Sequence, residues 1–100
     1  MKEFKTKQPG EEYYVAFNFY RRLKADTIST ATVTVTDDAT SPADVTSTLT
    51  TLEAQNIVGP KVNIWVKGGT TGHYYKITCR IVTSSGAKHE LDGLLPVVEE

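Results

Sequence analysis

Between Thr30 and Thr36 the side chains alternate without a break, with Ala31, Val33 and Val35 set between Thr30, Thr32, Thr34 and Thr36. A period of two puts one set on each face of a pleated strand, whereas a helix would scatter both sets around its axis. Asp26 to Thr36 therefore reads as a strand with one apolar face and one row of threonines. The same period recurs along the chain. Tyr13, Val15, Phe17 and Phe19 oppose Glu12, Tyr14, Ala16 and Asn18, and Val45, Ser47 and Leu49 oppose Thr46, Thr48 and Thr50. Val62, Ile64 and Val66 oppose Asn63 and Trp65; Tyr75, Ile77, Cys79 and Ile81 oppose Tyr74, Lys76, Thr78 and Arg80, in what should be the central strand. Thr, Val and Ile fill about 30% of the 100 positions, and these β-branched residues suit a half-buried pleated surface.

Turn formers separate these runs. Asp37 to Asp44, Gly59-Pro60, Gly68-Gly69-Thr70-Thr71-Gly72 and Ser84-Ser85-Gly86-Ala87 break the chain at short intervals. Tyr20 to Ala25 is long enough for one helical turn at a corner, and Leu52 to Asn56 reads as irregular. Lys88 to Val98 forms the last strand, where Gly93 suggests a bulge and Pro96 suggests an edge. Residues 1–10 end in Pro9-Gly10 and read as an N-terminal arm or edge strand, of which Lys2 to Lys7 are expected to order only on assembly; residues 11–98 form the body. Length allows one domain with one core. Six or seven short, closely spaced strands describe an all-β antiparallel sandwich. The run Gly72-His73-Tyr74-Tyr75-Lys76-Ile77-Thr78-Cys79 resembles the turn-to-strand corner of immunoglobulin-like and fibronectin type III-like sandwiches, which makes Tyr75 the corner tyrosine and Gly68, Gly69 and Gly72 structural turn residues.

Little in the chain suggests catalysis. His73 and His89 share no ligand spacing with Asp, Glu or Cys, and both read as exposed. Cys79 lies among apolar neighbours, where a thiol packs rather than reacts. Ser84-Ser85-Gly86 lacks the nucleophile elbow, and the Gly68–Gly72 turn lacks the Lys-Ser/Thr pair and following helix of a phosphate loop. Asp37, Asp38 and Asp44 crowd one loop, but their spacing is not that of an EF-hand. No catalytic residue, metal or cofactor is expected. Eleven basic residues against 12 acidic give a net charge of -1, so no positive field draws in nucleic acid. No apolar run approaches the roughly 20 residues of a membrane span, and the charged Met1-Lys2-Glu3-Phe4-Lys5 is unlike a signal peptide, so cytoplasmic synthesis without export is expected.

The order of residues in Val62 to Gly72, Tyr75 to Ile81 and Thr83 to Gly86, together with Leu23-Lys24-Ala25-Asp26-Thr27-Ile28, resembles short phage and prophage proteins of the fibre-to-tail adaptor, tail-associated β-sandwich kind. The resemblance implies a non-catalytic structural protein located in the virion. Its implied partners are tail, neck or fibre proteins, or copies of itself in a ring. Edge strands and the arm would be natural docking devices. Candidate partner contacts are Phe4, Tyr14, Trp65 and Tyr74. The alternative is an immunoglobulin-like carbohydrate- or surface-binding module in which Trp65, Tyr74 or Tyr75 stacks on sugar.

Overall fold

The computed structural model describes residues 2–37, 43–44 and 56–99. In chain order the elements are β1 (Lys2–Glu3), β2 (Tyr13–Asn18), α1 (Tyr20–Leu23), β3 (Ile28–Asp37), β4 (Ala43–Asp44), β5 (Asn56–Val58), β6 (Lys61–Val66), β7 (His73–Thr83) and β8 (Lys88–Val97). They form a sandwich of a five-stranded sheet, ordered β1-β8-β7-β3-β4, and a three-stranded sheet, ordered β2-β6-β5. The fold is all-β, and every strand pair is antiparallel except β1 with β8.

The core is the apolar half of each alternation. Val15 and Phe17 of β2 and Val62, Ile64 and Val66 of β6 face Val33 and Val35 of β3, Tyr75, Ile77, Cys79 and Ile81 of β7, and Leu95 and Val97 of β8. The opposite face of the larger sheet carries Thr32, Thr34 and Thr36 in register with Arg80, Thr78 and Lys76. At roughly 25 cal/mol per Å², the removal of two apolar sheet faces from water is the main force holding the layers together. β7 lies in the middle of its sheet and makes the longest ladders, with β3 and with β8.

Several expectations need correction. The bulge lies at Ser29, where the register steps from Ile28↔Thr83 to Thr30↔Val82, while Gly93 pairs with Ile77 in an unbroken ladder. The extra residue turns Ile28 to the inner side, where it packs against the core. Pro96 is not at a free edge, because the N-terminal arm covers that side of β8. The Pro96 carbonyl accepts from Lys7 N–H at 2.9 Å. A residue's N–H and C=O leave a strand on the same side, so the donor that proline lacks is missing from the arm side and the β7 ladder loses nothing. The helical turn is present as α1, which buries Phe19 and Leu23 at one end of the sandwich. Asn56, expected in an irregular stretch, begins β5. The expected strand at Val45, Ser47 and Leu49 lies outside the described residues, as do Asp38 and Leu52 to Gln55.

Candidate docking surfaces

Three surface regions and one packed seam contain the residues with potential for recognition. The seam is the arm. Phe4, expected to face a partner, lies in the core with only 8% of its surface exposed and its ring edge-on to Phe17, centroids 5.3 Å apart. The reason is Gly93. A Cβ at that position would stand 2.3 Å from Phe4 Cε2 and 2.8 Å from Cζ, so only glycine leaves room for the ring. The arm is thus packed along β8 within the chain itself. Phe4 N–H donates to Leu94 O at 2.8 Å, and Val98 N–H donates to Lys7 O at 2.9 Å.

Lys7 closes the seam. Its side chain is fully buried, and the ammonium donates to the carbonyls of Gln8 at 2.8 Å, Pro9 at 3.3 Å and Gly68 at 2.6 Å. Burial pushes this amine below its usual pKa, and the carboxylates of Glu11 and Glu12 act in the opposite direction. The carbonyl of Gly68 reaches the ammonium because Gly68 and Gly69 turn with φ of 64° and 100°. Beside it, Tyr75 Oη accepts from Thr70 N–H at 2.8 Å, which ties the start of β7 to the same turn. His73 is not an exposed loop residue: it is half-buried, its Nδ1 is 2.8 Å from Asp37 Oδ2, and its ring stacks on Tyr75. Thirty-six residues separate this pair, and only the β3–β7 pairing brings it together. His89, also expected exposed, is half-buried opposite Ile81.

The first surface is the outer face of the three-stranded sheet. Tyr14 and Trp65 are directly opposite in the β2–β6 register, and their rings meet edge to face with centroids 5.0 Å apart. Trp65 Nε1–H donates to Glu12 Oε1 at 3.2 Å. Tyr14 is 51% exposed and Trp65 half-buried, so the pair forms a fixed aromatic step on the surface instead of a second packed layer. The second surface is the outer face of the five-stranded sheet. Tyr74 stands there opposite Pro96, also 51% exposed, beyond a field of paired charges and hydroxyls. Arg80 Nε donates to Glu90 Oε1 at 2.5 Å, and Thr78 Oγ1 donates to Asp92 Oδ1 at 2.8 Å. Tyr74 and the Tyr14–Trp65 pair therefore occupy opposite faces and do not form one site.

The third surface escaped the reading of the sequence. At the α1 end a groove of about 420 Å³ is lined by Tyr20, Leu23, Ile28, Ile57 and Pro60 among others, and Tyr20 is 68% exposed. Its local part is the short helix and the segment after it, with Tyr20, Leu23 and Ile28 on the lining. One wall runs from Tyr20 to Ile28, and the other, Ile57, Gly59 and Pro60, comes from a segment more than 30 positions beyond Tyr20.

Among the described residues no group of His, Cys, Asp or Glu is placed to hold a metal ion. Cys79 is fully buried, and burial pushes its thiol up to about 12, far from a nucleophilic thiolate. No helix among the described residues is long and apolar enough to cross a membrane.

A small all-β sandwich that shows paired aromatics on one outer sheet and a clasped arm on the other sheet's edge is, in class, an interaction module. The family model of the podophage GP4 fiber-tail adaptor protein gp77 matches residues 7–96, and the chain belongs to that family. It is thus a phage fibre-tail adaptor with a structural role. No curated protein matches the chain by sequence.

Proposed function

We propose that the chain is a non-catalytic part of the virion of a tailed phage and docks on tail, neck or fibre proteins through the outer face of its three-stranded sheet. The family match over residues 7–96 carries the adaptor reading. The Tyr14–Trp65 step supports the choice of face, because tyrosine and tryptophan are enriched among hot spots at protein interfaces and here they are braced by each other and by Glu12. Rigid aromatics lose little side-chain freedom on binding. Tyr74, on the opposite sheet, offers a second contact, and an adaptor needs two faces to join two proteins. The net charge of -1 fits protein partners rather than nucleic acid.

The same reading extends to the fold. The order β5-β6-β2 against β4-β3-β7-β8 corresponds to strands D-E-B against C′-C-F-G of an immunoglobulin-like sandwich. Tyr75, near the start of the strand in the F position, bonds to backbone five residues upstream as a corner tyrosine does.

The test is co-expression with tail and fibre proteins of a phage that carries this chain, followed by capture through a tag on the adaptor. Capture of one of them that is lost with Trp65→Ala but kept with a substitution of exposed Lys88 supports the reading. Full capture by Trp65→Ala refutes the face. Glycan-dependent fluorescence without any protein capture refutes the adaptor role in favour of a surface-binding module.

A further inference from the structure

We propose that the N-terminal arm is exchangeable, so that residues 2–7 of one copy dock along β8 of a second copy and link adaptors through a swapped strand. The β8 edge is shaped for this one segment. It presents Leu94 O and Pro96 O to the N–H groups of Phe4 and Lys7, and it takes the Lys7 carbonyl on Val98 N–H. It has a gap over Gly93 that fits one aromatic ring. Beside it, the turn between β6 and β7 offers Gly68 O to the ammonium three residues further along the arm. An aromatic residue followed three positions later by lysine, on an extended strand running parallel to β8, is the arm of this chain itself, so the fitting occupant is another copy.

The connection to the body is built to open. The arm joins it through one turn, closed by Glu11 N–H on Gln8 O at 3.1 Å and by Gln8 N–H on Glu11 Oε1 at 2.8 Å. A Cβ at Gly10, in this turn, would meet nothing within 4 Å, so the turn has room to change shape at that residue. Extending the turn gives up those two hydrogen bonds. The contacts on β8 and with Phe17 then re-form in trans, and the Gln8 and Pro9 carbonyls that bind Lys7 travel with the arm. Only the hinge and the local concentration of copies decide between the two states, the usual condition for strand swapping. An undocked β8 edge would expose unpaired backbone and the Phe4 gap, so exchange covers in the assembly what the arm covers in the monomer.

This inference rests on the contacts of the arm, whichever proteins the adaptor joins. Its test mixes two full-length variants, isotopically labelled Glu3→Cys and unlabelled Leu94→Cys, whose positions are paired in the β1–β8 register. The mixture is equilibrated at about the millimolar concentration that a short tether supplies, then oxidised. Circular dichroism confirms that both variants are folded. The expected result is a mixed dimer with a disulfide between positions 3 and 94, at least fivefold more abundant than from Glu3→Cys with Lys88→Cys at the far end of β8. Adding Phe4→Ala to the arm donor should cut that yield severalfold. A yield equal to the Lys88→Cys control, or one indifferent to Phe4→Ala, overturns the proposal. Neither result depends on capture of tail or fibre proteins.

Discussion

Gly93→Ala is the smallest change with a large expected consequence. Gly93 has no left-handed backbone angle, so alanine there should be favoured by roughly 0.5–1 kcal/mol over glycine if space allowed. Space does not allow it: the new methyl would lie 2.3, 2.8 and 3.1 Å from three atoms of the Phe4 ring, which is itself wedged against Phe17. Overpacking of this kind costs about 1–3 kcal/mol, and expulsion of a buried phenylalanine about 3–5 kcal/mol. Undocking of the arm limits the loss, so the expected destabilisation is about 2–4 kcal/mol, a fall of roughly 10 °C or more in Tm for a domain of this size. Phe4→Ala should cost a similar amount. The double variant provides the decisive measurement, because with the ring gone the methyl of Ala fills the gap it would otherwise clash with. Phe4→Ala with Gly93→Ala should be no less stable than Phe4→Ala alone, giving a coupling of at least about 2 kcal/mol in a double-mutant cycle. Urea unfolding followed by far-UV circular dichroism measures all four proteins. Gly93→Ala within 0.5 kcal/mol of the parent, or strict additivity in the double variant, would refute the reasoning.

Three further outcomes follow from the same packing. Tyr75→Phe removes the acceptor for Thr70 N–H and should lower stability by about 1–3 kcal/mol, with faster exchange of the Thr70 amide proton as the local readout. Cys79 has a folded pKa raised from 9.0 to about 12, so its contribution to stability is complete below pH 9 and is lost as pH rises toward 12; the parent should lose up to about 1.4 kcal/mol per pH unit more than Cys79→Ala across that window, and equal slopes would place the thiol outside the core. Trp65 is the only tryptophan and lies half-buried on the surface, so iodide should quench the native emission measurably and a docked partner should block that quenching; emission unreachable by iodide in the free chain would contradict the surface placement.

Much of the core was legible because a strand's period is local. The alternation in Tyr13–Phe19, Ala31–Val35, Val62–Val66 and Tyr75–Ile81 names the inner residues without knowledge of any neighbour, and the structure buries Val15, Phe17, Val33, Val35, Val62, Ile64, Val66, Ile77 and Cys79. The turn at Ser84–Ala87 and the single helical turn at Tyr20 were equally local. The surface pair was half legible: Trp65 is placed opposite the apolar set by its own strand, but its meeting with Tyr14 is a register fact that joins positions 51 residues apart.

The remaining errors share one cause. Gly93 looked like a bulge and Phe4 like an exposed arm residue because each was judged alone, while each explains the other: the glycine is there for the ring and the ring is buried because of the glycine. A lysine in a polar segment, as Lys7 is, is ordinarily solvated, and only the turn at Gly68 brings the carbonyl that completes its shell. His73 and Asp37 became partners through strand pairing alone.

By itself, then, the sequence determined that this chain makes strands and which side of each faces inward, because period, β-branching and residue type act within a few positions. The tertiary structure decided which strands are neighbours, that the arm closes the β8 edge, and which aromatics remain exposed. Those outcomes depend on register and close packing between segments far apart in the chain, and no local pattern records the distance between two side chains that have yet to meet.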